Sequence, residues 1–242
     1  NVVFQIIENA DTAILALQNG EVDAYQMTPQ QVKKLDLDAS NLSTYSYSEG
    51  RVGYLEINCN RVTDEKVRKA LLYAMDRKAM DDAAFESSEY YSIPYTFLPT
   101  NSQFYTEDGV EKYEQDVDKA KSMLEDAGVS GLKLKLGYMS SDAVQSAQAL
   151  LIQEQLKEVG VTVELAGGDG TAIANAMKDP DNEYDMYLGG YIMGIDPDTF
   201  SSLFENDGAY NYMHYSGYDT IDQLFEEGRS ELDESARKET YA

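Results

Sequence analysis

A single histidine, His214, limits the side-chain chemistry that this 242-residue chain can perform. One imidazole supports only one Ser-His or Cys-His pair, and no Gly-x-Ser-x-Gly nucleophile elbow occurs. Paired carboxylates could do acid–base work, but 44 acidic residues guarantee that some of them lie close together. We therefore predict that the chain is not an enzyme and uses no cofactor, with a carboxylate-dependent hydrolase as a rival hypothesis.

Metal and phosphate sites have little support. Four acidic residues alternate as in a calcium loop: Asp179, Asp181, Glu183 and Asp185. Tyr184 and Gly190 stand where an EF-hand requires Gly and Glu, so a solvated turn is the preferred interpretation. The glycine-rich segment 167–171 lacks the Gly-Lys-Ser/Thr ending of a phosphate loop, and Asp169 would repel a phosphate. We expect that segment to be a loop that caps the next helix.

The main chain around Gly189 and Gly190 is the remaining candidate site. Residues 184–191 predict a buried strand, and the two glycines leave its end without side chains. Bare main chain at a strand end lets another main chain approach closely, as strand addition by an extended peptide requires. The alternative is a sheet edge that packs against its own loop.

The elements that must position this segment alternate between helix and strand. Three predicted helices each end at a glycine, which supplies the left-handed residue that closes a helix, and a short strand follows each. The helices are expected at 11–19, 116–127 and 142–159, and the strands at 21–25, 132–138 and 161–165. This alternation predicts an α/β fold with helices packed on a mainly parallel or mixed sheet.

The two ends and one central stretch add further expectations. Residues 1–7 open the chain in a strand-like run, and an apolar stripe from Ile221 continues weakly through Leu232 and Ala236. The chain thus begins inside a strand-like run and ends inside a helical pattern. This favours a lobe excised from a larger protein over a complete one. Residues 87–115 contain Pro94 and Pro99 and are expected to form a long ordered loop.

A further helix is predicted just after the strand at 54–58. One apolar stripe with helical spacing marks it: Val67, Ala70, Leu71 and Ala74. Thr63 or Asp64 is positioned to cap its amino terminus, where the negative charge of Asp64 is also favourable. The sequence thus predicts a strand, a short turn and a packed helix.

This strand–helix pair resembles a signature of the family 5 solute-binding proteins, the receptors that deliver peptides or nickel to bacterial ABC importers. The matching residues are Leu-Glu-Ile-Asn at 55–58, Val-Arg-Lys-Ala-Leu at 67–71 and Met-Asp-Arg at 75–77. Four more segments resemble family motifs in the right order, at 19–24, 118–128, 156–163 and 184–198. Together these matches extend over almost the whole chain.

The resemblance implies a periplasmic-binding-protein-like (type II) fold. Residues 1–242 would form a single α/β lobe with a mixed sheet flanked by helices, as a fragment of a two-lobed receptor. The implied partners are a missing amino-terminal lobe, an ABC permease and a peptide ligand. Within the family, the resemblance is closest to the oligopeptide-binding branch. Nickel, an opine or a sugar are the alternative ligands. The implied location is extracytoplasmic, with any lipid anchor upstream of this chain.

The resemblance implies that Gly190, Tyr191, Ile192 and Met193 border the peptide, with Asn211 and His214 as a polar rim. Gly189, whose main chain is bare, and Asp196 complete the candidate binding residues. Gly194 stands where relatives carry the Asp that pairs with a peptide ammonium, and Asp196 could replace it only if the loop is rearranged. Leu188 and the loop 139–142 lack the basic residues that hold a short peptide's carboxylate. Losing both anchors disfavours a dipeptide receptor and favours longer peptides held through the main chain, or a non-peptide ligand.

Bulk composition excludes other classes. The net charge of −25 opposes contact with nucleic acid and with anionic lipid, because both would be repelled. An apolar fraction of 43% suits a globular protein, and no apolar run approaches the ~20 residues that cross a bilayer. Cys59 is the single cysteine, so no internal disulfide can form. We expect a monomer.

Overall fold

The computed structural model describes residues 1–35, 37, 41–192, 194 and 196–242. These residues fall into two compact units, one formed by Asn1–Tyr47 and Phe85–Tyr91 and the other by Ser48–Ala84 and Ser92–Ala242. None of the helices within the described ranges is long and apolar enough to cross a membrane.

The described helices and strands have the following bounds. The first unit contains α1 (Ala10–Gln18) and α2 (Pro29–Val32). The strands are β1 (Arg51–Ile57), β2 (Lys133–Met139), β3 (Thr162–Gly168) and β4 (Met186–Ile192). The remaining helices are α3 (Glu65–Tyr73), α4 (Arg77–Phe85), α5 (Val117–Asp126), α6 (Ala143–Glu158), α7 (Gly170–Met177), α8 (Ser201–Phe204), α9 (Asp219–Ser230) and α10 (Glu234–Tyr241), with a 3-10 helix at Pro197–Phe200.

In the smaller unit, the predicted helix at 11–19 is confirmed as α1, but both predicted strands are wrong. Asn9 caps α1 by accepting a hydrogen bond from the Thr12 N–H. Residues 1–7 and 21–25 form no strand, and Phe4 and Ile6 are each 91% exposed. A strand is stable only when a neighbour completes its hydrogen bonds, and the described part of this unit offers none. Apolar alternation alone therefore misidentified these two segments.

In the larger unit, the four strands form one mixed sheet in the order β1-β4-β2-β3, which confirms the predicted fold class. β1 runs antiparallel to β4, whereas β2 runs parallel to both β3 and β4. The predicted strand positions near 132–138 and 161–165 agree with β2 and β3. Gly167 and Gly168, expected in a loop, continue β3, and Asp169 alone caps α7 by accepting from the Ala172 N–H.

Helices pack on both faces of this sheet. The main core lies on one face and joins α3, α5 and α6 to apolar side chains of the strands, including Leu71, Leu136, Ile152 and Met186, all 0% exposed. On the other face, Ile173 and Met177 of α7 pack with Tyr184, Tyr187 and Tyr212. A second cluster on that face joins Val52 of β1 to aromatic side chains of the long loop and of α8–α10.

The helix after β1 agrees closely with its prediction. Val67, Ala70, Leu71 and Ala74 are all at most 4% exposed. Of the two capping candidates, Asp64 is the cap, because its carboxylate accepts a hydrogen bond from the Lys66 N–H at 2.8 Å. The predicted helices at 116–127 and 142–159 are confirmed as α5 and α6, and residues 87–115 contain neither helix nor strand.

Two expectations for the second half of the chain are wrong. The apolar stripe from Ile221 does not continue past Ser230: α9 ends there, Leu232 is 98% exposed, and Asp233 caps a separate helix, α10. The acidic run at 179–185 is not a solvated turn throughout. Asp185 is buried, and its carboxylate accepts hydrogen bonds from Arg61 Nε and from a main-chain N–H of β2, both at 2.7 Å.

Candidate functional site

The candidate strand β4 is paired unequally on its two edges. Along one edge it pairs with β1 over its full length, from Ile57↔Met186 to Arg51↔Ile192. Along the other edge it pairs with β2 only at Met186 and Tyr187. Within the described ranges, the main chain from Leu188 to Ile192 has no strand partner on that edge. Leu188 and Gly189 are buried, so this geometry permits an extended chain to add to the sheet only from Gly190 to Ile192.

The two glycines of β4 leave space that neighbouring side chains fill. A Cβ on Gly189 would lie 2.5 Å from Cε2 of Tyr54, and one on Gly190 would lie 2.6 Å from Nη2 of Arg51. Gly189 is buried and Gly190 is half-buried. The expectation that both glycines leave the faces of the strand bare is therefore corrected, since Tyr54 covers one face and Arg51 the other. What remains is the edge of β4 that has no strand partner among the described residues.

The residues that follow the glycines lie at the end of the strand. Tyr191 is half-buried, and its ring centroid is 5.3 Å from that of Tyr210. Ile192 is 56% exposed. Met193 lies outside the described residues. The structure thus brings Gly189, Gly190, Tyr191 and Ile192 together at one end of the sheet.

Asp196 lies in the turn beyond β4 and already has partners. Its Oδ1 accepts hydrogen bonds from Arg237 Nη2 at 2.7 Å and from the Asp198 N–H at 2.9 Å. The Arg237 guanidinium lowers the pKa of the Asp196 carboxyl, first through this hydrogen bond. The carboxylate therefore fixes the turn against α10 and begins the 3-10 helix at Pro197–Phe200. An ammonium group of a ligand would have to displace Arg237 to reach that oxygen.

Asn211 and His214 lie in the loop between α8 and α9, where both make internal hydrogen bonds. The Asn211 amide donates to the carbonyl oxygens of Glu205 and Tyr215, at 3.2 and 2.8 Å. His214 Nε2 lies 2.9 Å from the carbonyl oxygen of Met177, an acceptor, so this nitrogen carries the proton. Both side chains line a cavity of about 370 Å³ that also includes Lys178. Their first role in this structure is to hold the loop.

That loop nevertheless touches the candidate strand through its tyrosines. The ring centroids of Tyr210 and Tyr212 are 5.3 Å from Tyr191 and 6.1 Å from Tyr187, respectively. The two loop rings are themselves 6.1 Å apart and nearly perpendicular. Edge-to-face contacts of this kind stabilise a fixed ring arrangement by about 0.5–1.5 kcal/mol each. The loop therefore covers one face of β4 at its open end.

Glu56 is a buried acid that the sequence analysis did not single out. It lies on β1 opposite Tyr187, is 3% exposed, and its Oε2 has no hydrogen-bond partner in the described part of the chain. Burial raises the pKa of Glu56 to about 8, because the charged form would lose its hydration. At neutral pH most Glu56 side chains are therefore protonated. A buried carboxyl group lowers the free energy of unfolding unless hydrogen bonds compensate for its lost hydration.

Tyrosine side chains surround this acid. Burial, followed by the charge of Glu56, raises the pKa of Tyr54, and burial likewise raises the pKa of Tyr187. Burial raises the pKa of Tyr212 to about 12. All of these hydroxyls therefore stay protonated at neutral pH and can donate hydrogen bonds. The strand motif itself carried a signal for this cluster, since alternation places Val52, Tyr54 and Glu56 on one face of β1.

Comparisons with known proteins agree on one family. Residues 1–212 match the family described as bacterial extracellular solute-binding proteins, family 5 Middle. The chain is 26% identical to the oligopeptide-binding protein AppA of Bacillus subtilis (strain 168), over 99% of this chain and 47% of that protein. The chain spans about half the length of the curated relatives it matches.

Two solved structures are similar over nearly the whole chain. The ABC transporter substrate-binding protein CtaP of Listeria monocytogenes is 37% identical with a TM-score of 0.90, covering 98% of this chain and 49% of that one. A putative peptide-binding protein AppA from Clostridium difficile is 34% identical with a TM-score of 0.85, with the same coverage. The resemblance inferred from the motifs is thus confirmed, and the chain belongs to the family 5 bacterial extracellular solute-binding proteins.

Proposed function

We propose that this chain is the ligand-binding lobe of an ABC-importer receptor that captures oligopeptides. The observation that carries the proposal is the edge of β4 from Leu188 to Ile192, which lacks a strand partner among the described residues and is accessible from Gly190 onward. Main-chain hydrogen bonds at such an edge do not depend on the ligand's side chains, so they suit peptides of varied sequence. Relatives named for oligopeptide and dipeptide binding support this ligand class.

The proposed mechanism is non-covalent and needs a second lobe. Residues 1–242 would act as one lobe of a two-lobed receptor, and the peptide would be enclosed between this lobe and an amino-terminal partner lobe by hinge closure. Closure excludes water and strengthens the polar contacts to the ligand. The closed form would then dock on an ABC permease. The proposed receptor is monomeric and extracytoplasmic, and any lipid anchor would precede this chain.

The proposed ligand contacts are Gly189, Gly190, Tyr191 and Ile192 at the end of β4, together with Met193, the next residue in the sequence. Asp196 would act indirectly, by fixing the turn that follows, because Arg237 occupies its carboxylate. Asn211 and His214 would hold the loop whose tyrosines cover the strand. In this proposal no side-chain carboxylate of the turn takes the ligand's ammonium group, which favours longer peptides over dipeptides.

Mass spectrometry of ligands that co-purify with the full-length receptor tests the ligand class. We expect a mixture of peptides released on denaturation. Stoichiometric nickel, an opine or a sugar in their place would contradict the proposal.

Calorimetry tests the two-lobe mechanism separately. The 242-residue chain alone is expected to bind mixed tetra- to hexapeptides more weakly than the full-length receptor, because half of the contacts and the enclosing wall are absent. Micromolar or tighter binding by the isolated chain would refute the need for a second lobe.

A further inference from the structure

The side chain of Arg51 lies across the main chain of Gly190. Arg51 begins β1 and pairs with Ile192 at the end of β4, so its side chain points to the same sheet face as Gly190. A Cβ on Gly190 would lie 2.6 Å from Nη2 and 2.8 Å from Nε of Arg51. Any other residue at position 190 would therefore displace the guanidinium. The glycine is the reason that a cation can sit at the open end of this strand.

Toward the start of β1 and the end of β4, this face of the sheet is bare main chain. Leu55 and Leu188 are directly opposite each other and both contact the main core. The next pair on the same face is Gly53 and Gly190, and a Cβ on Gly53 would meet no heavy atom within 4 Å. The last pair on this face is Arg51 and Ile192, which are both exposed.

No carboxylate within the described ranges neutralises the charge of Arg51. Three other arginines, Arg61, Arg229 and Arg237, pair with carboxylates at 2.7–3.0 Å. Arg51 forms no such ion pair with any residue that the structure describes, although the chain has 44 acidic residues and only 19 basic ones. A guanidinium presents a planar fork of donors that matches both oxygens of a carboxylate. An exposed, unneutralised guanidinium beside an open main-chain edge has the geometry to capture a ligand carboxylate.

We propose that Arg51 binds a carboxylate of the captured peptide and so gives this receptor a preference for ligands with a negative charge near the end of β4. The inference rests on the proposed peptide-binding function and adds its charge specificity. It also answers a question from the sequence, where the positions that hold a peptide carboxylate in relatives lack basic residues. In this chain the neighbouring strand β1 carries the cation, and the register of β1 on β4 places it beside Gly190. The carboxylate is either the peptide's terminal group or an acidic side chain.

The test measures the affinity of the full-length receptor for four versions of one hexapeptide. The peptide carries a free or amidated carboxyl terminus, and either Glu or Gln within its sequence. A hydrogen-bonded charge contact corresponds to about a 10–100-fold difference in affinity. We expect the unmodified receptor to lose that factor when the relevant carboxylate is neutralised. The version that causes the loss identifies which of the two carboxylates Arg51 binds.

Arg51→Gln is the decisive variant, and Lys133→Gln is its matched control. Lys133 is exposed at the start of β2, a strand whose middle residues pair in parallel with the start of β4. Its loss therefore changes the net charge equally, but away from the end of β4 where Arg51 lies. In Arg51→Gln the four peptides are expected to bind within about twofold of one another. In Lys133→Gln the full discrimination should remain. If Arg51→Gln unfolds, Arg51→Lys replaces it and should retain only part of the discrimination, because an ammonium lacks the planar fork.

Two negative outcomes separate the two proposals. Peptide binding without any dependence on the ligand's charge, or discrimination that survives in Arg51→Gln, would overturn the role of Arg51 and leave the peptide-receptor proposal intact. A folded full-length receptor that binds none of the four peptides would overturn both.

Discussion

Replacing Glu56 by Gln should stabilise the protein at neutral pH and remove part of its pH dependence. Glu56 is 3% exposed, and its Oε2 accepts no hydrogen bond from any residue that the structure describes. Burial raises the pKa of Glu56 in the folded state to about 8 from its ordinary value of 4.5. Between about pH 4.5 and pH 8, folding therefore requires this side chain to take up a proton. A glutamine has nearly the same shape and carries no charge to neutralise.

The size of the effect follows from linkage between folding and proton binding. Between pH 4.5 and 8 the folded state binds the proton more tightly than the unfolded state, so the free energy of unfolding falls as pH rises. Each unit of pKa difference corresponds to about 1.4 kcal/mol. The cost of carrying Glu56 is thus close to zero at pH 4.5, about 3 kcal/mol at pH 7, and about 5 kcal/mol above pH 8.

Urea unfolding of the unmodified protein and of Glu56→Gln, from pH 4.5 to 8.5, measures this difference. The stabilisation by Gln should be near zero at pH 4.5, rise by about 1 kcal/mol per pH unit, and level off above pH 8. Glu125→Gln removes an exposed glutamate on α5 and serves as the control, with a difference that stays within about 0.5 kcal/mol. A stability difference for Glu56→Gln that does not change with pH would refute the reasoning.

Two further substitutions test the packing around β4 by urea unfolding. Gly189→Ala should lower the free energy of unfolding by about 1–3 kcal/mol, because the new Cβ would lie 2.5 Å from Tyr54 Cε2. Gly53→Ala, whose Cβ meets nothing within 4 Å, should cost less than about 1 kcal/mol, and equal losses at the two positions would contradict the packing argument. Asp185→Asn should cost about 1–3 kcal/mol, because the buried carboxylate accepts from Arg61 Nε and from a main-chain N–H. Unchanged stability would show that these hydrogen bonds contribute nothing net.

Elements with a strong local signal were predictable. The apolar stripe of α3 and its Asp64 cap follow from spacing and from hydrogen bonds within one turn, so they depend little on the rest of the chain. The ends of α5 and α6 followed from Gly128 and Gly160, both of which adopt positive φ angles. The predicted strands at 1–7 and 21–25 failed because a strand needs a partner, and periodicity does not show whether one exists.

The candidate site was only partly predictable for the same reason. The paired glycines and Tyr191 could be located, because motif order and composition lie along the chain. Arg51 and Glu56 could not be connected to them, because the relationship is made by the register of β1 on β4, between residues more than a hundred positions apart. The partners of Asp196, Asn211 and His214 likewise come from other segments. Those contacts give all three residues internal partners, and their contact with a ligand stays a prediction.

The sequence by itself determined the family, the α/β class, the main helices and the strand that carries the candidate site, since these depend on local spacing and on motif order. Only the tertiary structure decided which edge of β4 is open, which side chains fill the space above its glycines, and that a cation and a buried acid lie on opposite faces of β1. Local propensity acts between near neighbours, whereas strand register and burial are properties of the assembled sheet.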